Sequence, residues 1–171
     1  PSTHLLHDRR IDVGLVAVLE HIVAGRDPGA AYLFVREGQL WSQRVYFKAS
    51  NTGDNDLFGT SVALSADGKA LAVGAPAEGS GAVGIGGEQD DDTAAGAGAV
   101  YVFLESAQGW QQQSYLKAAH PGSGDQFGWT VAMSDDAGTL AVGAPLENYY
   151  ATGVGGTPTS AAFNSGAVFL Y

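Results

Sequence analysis

Apolar residues alternate with small or polar ones at a period near two along four short runs, Thr60–Leu64, Ala70–Ala75, Ala99–Leu104 and Gln111–Lys117. That is the pattern of strands buried on one or both faces. The runs also recur. Phe58–Pro76 (FGTSVALSADGKALAVGAP) returns as Phe127–Pro145 (FGWTVAMSDDAGTLAVGAP), displaced by 69 residues with no insertion. Gly98–Phe103 (GAVYVF) returns as Gly166–Tyr171 (GAVFLY) and has an upstream counterpart in Gly29–Phe34 (GAAYLF), while Trp110–Ala118 (WQQQSYLKA) repeats Trp41–Ala49 (WSQRVYFKA). A fixed long period marks a repeat architecture in which each unit buries its faces against its neighbours.

Each unit holds four strands. Strands one and two are joined by Ser65-Ala66-Asp67-Gly68, where Asp-Gly supplies the positive φ of a tight hairpin; the second copy turns through Asp135-Asp136-Ala137-Gly138. Strands three and four are joined by Ser106–Gly109. A four-stranded antiparallel meander repeated along a chain is a propeller blade, so the predicted fold is all-β, with about three blades. The parsing is a divergent segment 1–28, strands three and four of a first blade in 29–57, a second blade in 58–126 and a third, without its outer strand, in 127–171. Val13–Leu19 can be laid on strand one and His21–Gly25 on strand two, with a helix over Ile11–Val23 as the competing reading, and Pro1–Leu6 is a candidate outer strand. Propellers typically need about four to eight blades. The ring is therefore expected to close only by oligomerisation or as part of a longer chain.

The repeated glycines have a physical role. Gly59 and Gly128 open strand one, where innermost strands crowd a central channel and a missing Cβ permits close backbone approach. Gly74-Ala75-Pro76 and Gly143-Ala144-Pro145 end strand two with small residues and a proline that cannot continue the ladder. With Phe58-Gly59 and Phe127-Gly128, these motifs resemble the FG-GAP repeat family, the blades of integrin α-subunit propellers and of many bacterial surface proteins, over Gly29 to Tyr171. The resemblance implies an integrin-like, extracellular or cell-surface module for adhesion or binding, without enzymatic activity. Its expected partner is a protein or glycan ligand. The competing reading is a structural blade protein that self-assembles into an oligomer and has no ligand of its own.

The composition narrows the field. Of 171 residues 45% are apolar, enough for a core, and 25 glycines suit a chain of many turns. No cysteine is present, so disulfides contribute nothing. Eight basic against 18 acidic residues give a net charge of −10, which repels nucleic acid and anionic membranes. No apolar stretch approaches the ~20 residues of a membrane span.

The strand two to three loop is the most variable surface. In the first copy it carries Gly84-Ile85-Gly86-Gly87 and then Glu88-Gln89-Asp90-Asp91-Asp92; in the second, Gly153-Val154-Gly155-Gly156 is followed by uncharged residues. Glu88, Asp90, Asp91 and Asp92 offer hard oxygen ligands for Ca²⁺, the one cofactor the chain suggests. A solvated acidic turn is the alternative. The resemblance also implies a calcium loop in the strand one to two hairpin, but Ser65–Lys69 and Ser134–Thr139 are too short to wrap an ion. Asp56 and Asp125 share one register and suit backbone-capping turns. Gly84–Gly87 lacks the Lys-Ser/Thr ending of a phosphate loop. No catalytic residues are assigned: the four histidines share no ligand spacing and no nucleophile sits in an elbow. Tyr149 and Tyr150 on the second long loop, and Trp129 in place of Thr60, are aromatics out of register and candidates for a ligand face.

Overall fold

The computed structural model describes residues 12–16, 29–149, 153–156 and 163–171. Among them no helix occurs. The strands are β1 (Asp12–Val16), β2 (Ala31–Glu37), β3 (Leu40–Phe47), β4 (Ser61–Leu64), β5 (Ala70–Ala75), β6 (Ala99–Ser106), β7 (Gly109–Leu116), β8 (Thr130–Met133), β9 (Leu140–Ala144) and β10 (Ala167–Leu170). They form three antiparallel sheets, β1-β2-β3, β4-β5-β6-β7 and β8-β9-β10. The middle sheet is the complete four-stranded meander expected from the repeat.

The first sheet differs from its expected assignment in one respect. Asp12–Val16 pairs with β2, placing it where strand two stands in the middle blade, and not at the strand-one position expected for Val13–Leu19. The same pairing overturns the helix reading at these residues. Strand two is the central, ladder-paired place in a blade, and the apolar run of β1 suits that place as well as strand one. The remaining N-terminal assignments, His21–Gly25 and Pro1–Leu6, lie outside the described residues.

Alternation along the strands assigns each face to one neighbour. In β5, Leu71, Val73 and Ala75 point into a core shared with Ala31, Leu33 and Phe47 of the first sheet, together with Phe58, Tyr101, Phe103 and Tyr115. The intervening Ala72, with Val100, Leu116 and Ala118, points into a second core against Phe127, Leu140, Val142 and Ala144 of the third sheet. Sheet faces that are apolar on both sides are what a middle layer requires. β2 and β6 carry a register shift at the same place in the repeat, between Leu33 and Phe34 and between Val102 and Phe103. Such bulges bend a strand and increase its twist.

Backbone contact between blades is closest at the Phe-Gly turns. A β-carbon on Gly98, at φ +84°, would lie 2.1 Å from the Phe127 carbonyl oxygen, and one on Gly29 would lie 1.9 Å from that of Phe58. The inner strands approach just as tightly, since Ser61 Oγ donates to the Gly128 carbonyl at 2.8 Å. Phe58 packs edge-on against Tyr101 and Phe103, and Phe127 against Phe169 and Tyr171. The lower hairpins meet through Ala66 N–H and the Asp135 carbonyl at 3.0 Å. Inside each hairpin a serine–aspartate pair holds the turn: Ser65 Oγ donates to Asp67 and Ser134 Oγ to Asp136, both at 2.7 Å. In the second hairpin the positive φ falls on Ala137.

Gly98→Ala combines a left-handed backbone strain of about 1–2 kcal/mol with a clash against backbone that cannot move aside. We expect a total loss of about 3 kcal/mol or more. Gly38→Ala, at φ +65° with open space around it, is expected to lose only the strain. Urea unfolding midpoints of the two variants test the difference.

Candidate functional site

The strand two to three loop of the middle blade leaves β5 at Pro76 and returns at Gly98. Its root is closed by Gly98 N–H donating to the Glu78 carbonyl at 2.9 Å. Farther out its two limbs hold each other through Ala94 N–H to the Gly79 carbonyl and Gly81 N–H to the Asp91 carbonyl. One limb then folds back along the edge of β7, with Lys117 N–H donating to Gly84 and Gly86 N–H to Tyr115. A long loop pinned this way has little conformational entropy left to lose on binding.

Beneath it lies a buried polar cluster. Glu78 and Lys117 are both essentially inaccessible, and their Oε2 and Nζ stand 2.7 Å apart. The other glutamate oxygen accepts from Asn51 Nδ2 at 3.0 Å and from Ser80 N–H at 3.1 Å. Asn51 also donates to the Gln89 carbonyl and accepts from the Tyr101 hydroxyl at 2.5 Å, so the first blade, the middle blade and the loop meet at one side chain. Burial pushes the Tyr101 and Tyr115 hydroxyls well above the ordinary phenol range. The Tyr115 hydroxyl is buried beside Ser80 and Glu78 without a hydrogen bond of ordinary geometry. Burial also lowers the Lys117 ammonium, and the facing Glu78 opposes that effect. The charged form of Glu78 is what its remaining hydrogen bonds, from Asn51 and Ser80, support.

The third blade repeats part of this cluster. Glu147 occupies the register of Glu78 and is likewise buried, with Tyr149 N–H on its Oε1 at 3.0 Å and Gly166 N–H on its carbonyl at 3.0 Å. His120 stands in the register of Asn51 and Tyr149 in that of Ser80. Their rings pack at 5.3 Å. Around them a groove of about 600 Å³ is lined by Glu147, Gly153–Gly156 and the β10 residues. Asp56 and Asp125 cap the preceding turns, each accepting a glycine N–H, from Gly53 and Gly122, at 2.7 Å.

Of the residues singled out in the sequence, Glu88, Asp90 and Asp92 are exposed and Asp91 is half-buried, its carboxylate accepting from Thr93 N–H. Asp90 and Asp92 border a polar cleft of about 430 Å³ between this loop and Ser50–Gly53. Among the described residues no three His, Cys, Asp or Glu side chains converge in a way that could hold a metal ion. Tyr149 and Trp129 are both part-exposed, but Trp129 stands on the turn before β8, a different segment from the His120–Tyr149 pair. Tyr150 lies outside the described residues. Phe58 and Phe127 are fully buried, as are Gly74-Ala75-Pro76 and Ala144, while Pro145 is exposed. The buried cluster itself, Asn51, Glu78, Tyr101, Tyr115 and Lys117, was not anticipated. A signal existed, because Glu78/Glu147 and Lys48/Lys117 each share a register within the repeat.

Stacked antiparallel meanders, with the described long loops of the middle and third sheets each tied at the root by the same bond, define a β-propeller-type repeat module. The chain belongs to the FG-GAP repeat family, which matches residues 41–103 and 110–171. No curated protein matches it significantly. No helix of the described residues is long and apolar enough to cross a membrane.

Lys117→Met leaves the Glu78 charge buried and unpaired, which is expected to cost about 3–5 kcal/mol. Adding Glu78→Gln restores part of the loss, because the amide oxygen still accepts from Asn51 and Ser80. Chemical denaturation of both variants measures it. Burial, the largest influence, also raises the carboxyls of Asp56, Asp125 and Glu147 above their ordinary values. The native state then keeps protons that the unfolded chain has released, so this contribution is present at low pH and is lost as pH rises through the native values. Asp125→Asn is expected to flatten the decline in stability that begins as pH passes 3.8, read from unfolding midpoints across a pH series.

Proposed function

We propose that the chain is a non-enzymatic binding module of the cell surface or extracellular space, presenting its strand two to three loops to a protein or glycan ligand. The observation that carries this reading is the fixation of both long loops at their roots by the same hydrogen bond and by a buried glutamate in the same register, Glu78 and Glu147. Rigid scaffolds with variable loops are where binding residues concentrate. The loops present different chemistry from a common frame: Val83 and Ile85, about two-thirds exposed, beside acidic residues in the middle blade, and the His120–Tyr149 ring pair in the third. Family membership supports the reading, since FG-GAP blades are propeller-type modules often found in adhesion proteins.

The alternative, a self-assembling blade protein, draws on Val168 and Leu170, about 70% exposed in positions whose middle-blade counterparts Val100 and Val102 contribute to the second core. A second copy stacked on that face would bury them, and the solution mass of the chain decides that question.

The binding reading is tested on glycan arrays and on immobilised collagen, fibronectin and laminin. The wild-type chain is expected to bind a subset. Val83→Ser with Ile85→Ser, or Tyr149→Ala, is expected to weaken that binding by tenfold or more while leaving the unfolding midpoint within about 1 kcal/mol of wild type. Retention of all binding in both variants would place the ligand face elsewhere.

A further inference from the structure

The buried cluster where the first and middle blades meet holds an amine, a carboxylate and a carboxamide in one fixed relation. Glu78 receives the Lys117 ammonium on Oε2 at 2.7 Å and the Asn51 side-chain N–H on Oε1 at 3.0 Å, so amine and amide are held by the two oxygens of one carboxylate. The amide is also gripped from its other side. The Tyr101 hydroxyl donates to Asn51 Oδ1 at 2.5 Å, and the Gln89 carbonyl accepts from Asn51 Nδ2 at 2.7 Å. Lys117 is shielded from water, and burial lowers its ammonium, which brings the neutral, nucleophilic amine within easier reach than in an exposed lysine. Asn51 borders the polar cleft of about 430 Å³ flanked by Asp90 and Asp92. The third blade does not repeat the arrangement, for the register of Asn51 there holds His120, whose side chain has no carbonyl.

We propose that Lys117 and Asn51 become joined by an intramolecular amide bond, with Glu78 as the acid–base group that makes it. Glu78 takes a proton from the Lys117 ammonium, and the neutral Nζ swings from Oε2 to attack Asn51 Cγ. As the Nζ–Cγ bond forms, the carbonyl electron pair moves onto Oδ1, where the Tyr101 hydroxyl faces the developing negative charge. Glu78 passes its proton to Nδ2. The Cγ–Nδ2 bond then breaks with its electron pair leaving on nitrogen, the carbonyl re-forms, and the departing ammonia carries off a second proton from Nζ as ammonium. One lysine ammonium and one carboxamide are consumed; one secondary amide and one ammonium are produced, and Glu78 is again a carboxylate. No oxidant or co-reactant enters this balance. The cleft between Asn51 and the two aspartates is the exit for the released cation. Burial favours the product, because an ammonium held out of water is costly and a neutral amide is far less so. The bond ties the first blade to the end of β7 across the blade boundary, and it stands independently of the ligand binding proposed above.

The test is the intact mass and tryptic map of the whole chain after incubation at neutral pH. The wild type is expected to be lighter than its sequence mass by one ammonia. Trypsin cuts after lysine only where the side chain is free, so digestion of the unfolded chain is expected to give Ala49–Lys69 joined to an uncut Ala70–Tyr171. Lys117→Arg and Glu78→Gln are each expected to keep the full mass, with no joined fragment. Should either variant fail to fold, the wild-type map decides alone. A wild-type chain of full sequence mass would overturn the proposal, as would loss of ammonia from a chain still cut after Lys117. A joined fragment formed undiminished in Glu78→Gln would overturn the part given to Glu78.

Discussion

Blade-to-blade contact in this chain is made first by backbone. The Phe127 carbonyl oxygen fills the space that a β-carbon would take on Gly98, and Phe58 does the same to Gly29. Everything else in the stack depends on that approach. It brings Ser61 within hydrogen-bonding distance of Gly128 on the inner strand, seats Phe58 and Phe127 edge-on against the aromatic face of their own blades, and presses the alternate face of β5 and β6 onto the next sheet. With a side chain in either glycine position the two sheets would stand apart by the width of a methyl group, and a packed core loses much of its dispersion energy over such a gap.

Charge is used sparingly but at depth. The Glu78–Lys117 pair sits below a loop whose own surface is exposed and acidic, and its glutamate also accepts from Asn51 of the first blade and from Ser80 of the loop. Such a pair contributes little net stability against an apolar replacement of the same volume. Its contribution is positional. An asparagine from the first blade, a serine and a glutamate from the loop, and a lysine from the outer strand satisfy each other in one arrangement only, so the loop has one root geometry.

Much of this was legible in the residues. The 69-residue displacement fixed the period, and the Ala70–Ala75 boundary agrees with the observed strand. Val13–Leu19 can be laid on strand one, whereas the observed strand Asp12–Val16 takes the place of strand two; the run lacks both motifs, and an apolar run by itself does not say which place in a sheet it fills. The ion pair was missed for a different reason. Glu78 and Lys117 are 39 residues apart, each surrounded by ordinary neighbours, and only the fold shows that the end of one outer strand lies under the start of another loop. What periodicity reports is which residues are equivalent. Which of them touch is decided by the twist and stagger of the sheets.

The two long loops differ by a single residue in length, since Gly98 and Gly166 are displaced by 68 where the flanking motifs are displaced by 69. Both are nonetheless tied at the neck by the same bond, from a glycine N–H to the carbonyl of the glutamate two residues past the Gly-Ala-Pro segment. Beyond the neck the two sequences diverge, and in the middle blade the loop makes its own further bonds to the frame, between Gly84 and Gly86 and the end of β7 and between Gln89 and Asn51. One neck geometry therefore serves loops that each settle their own course beyond it.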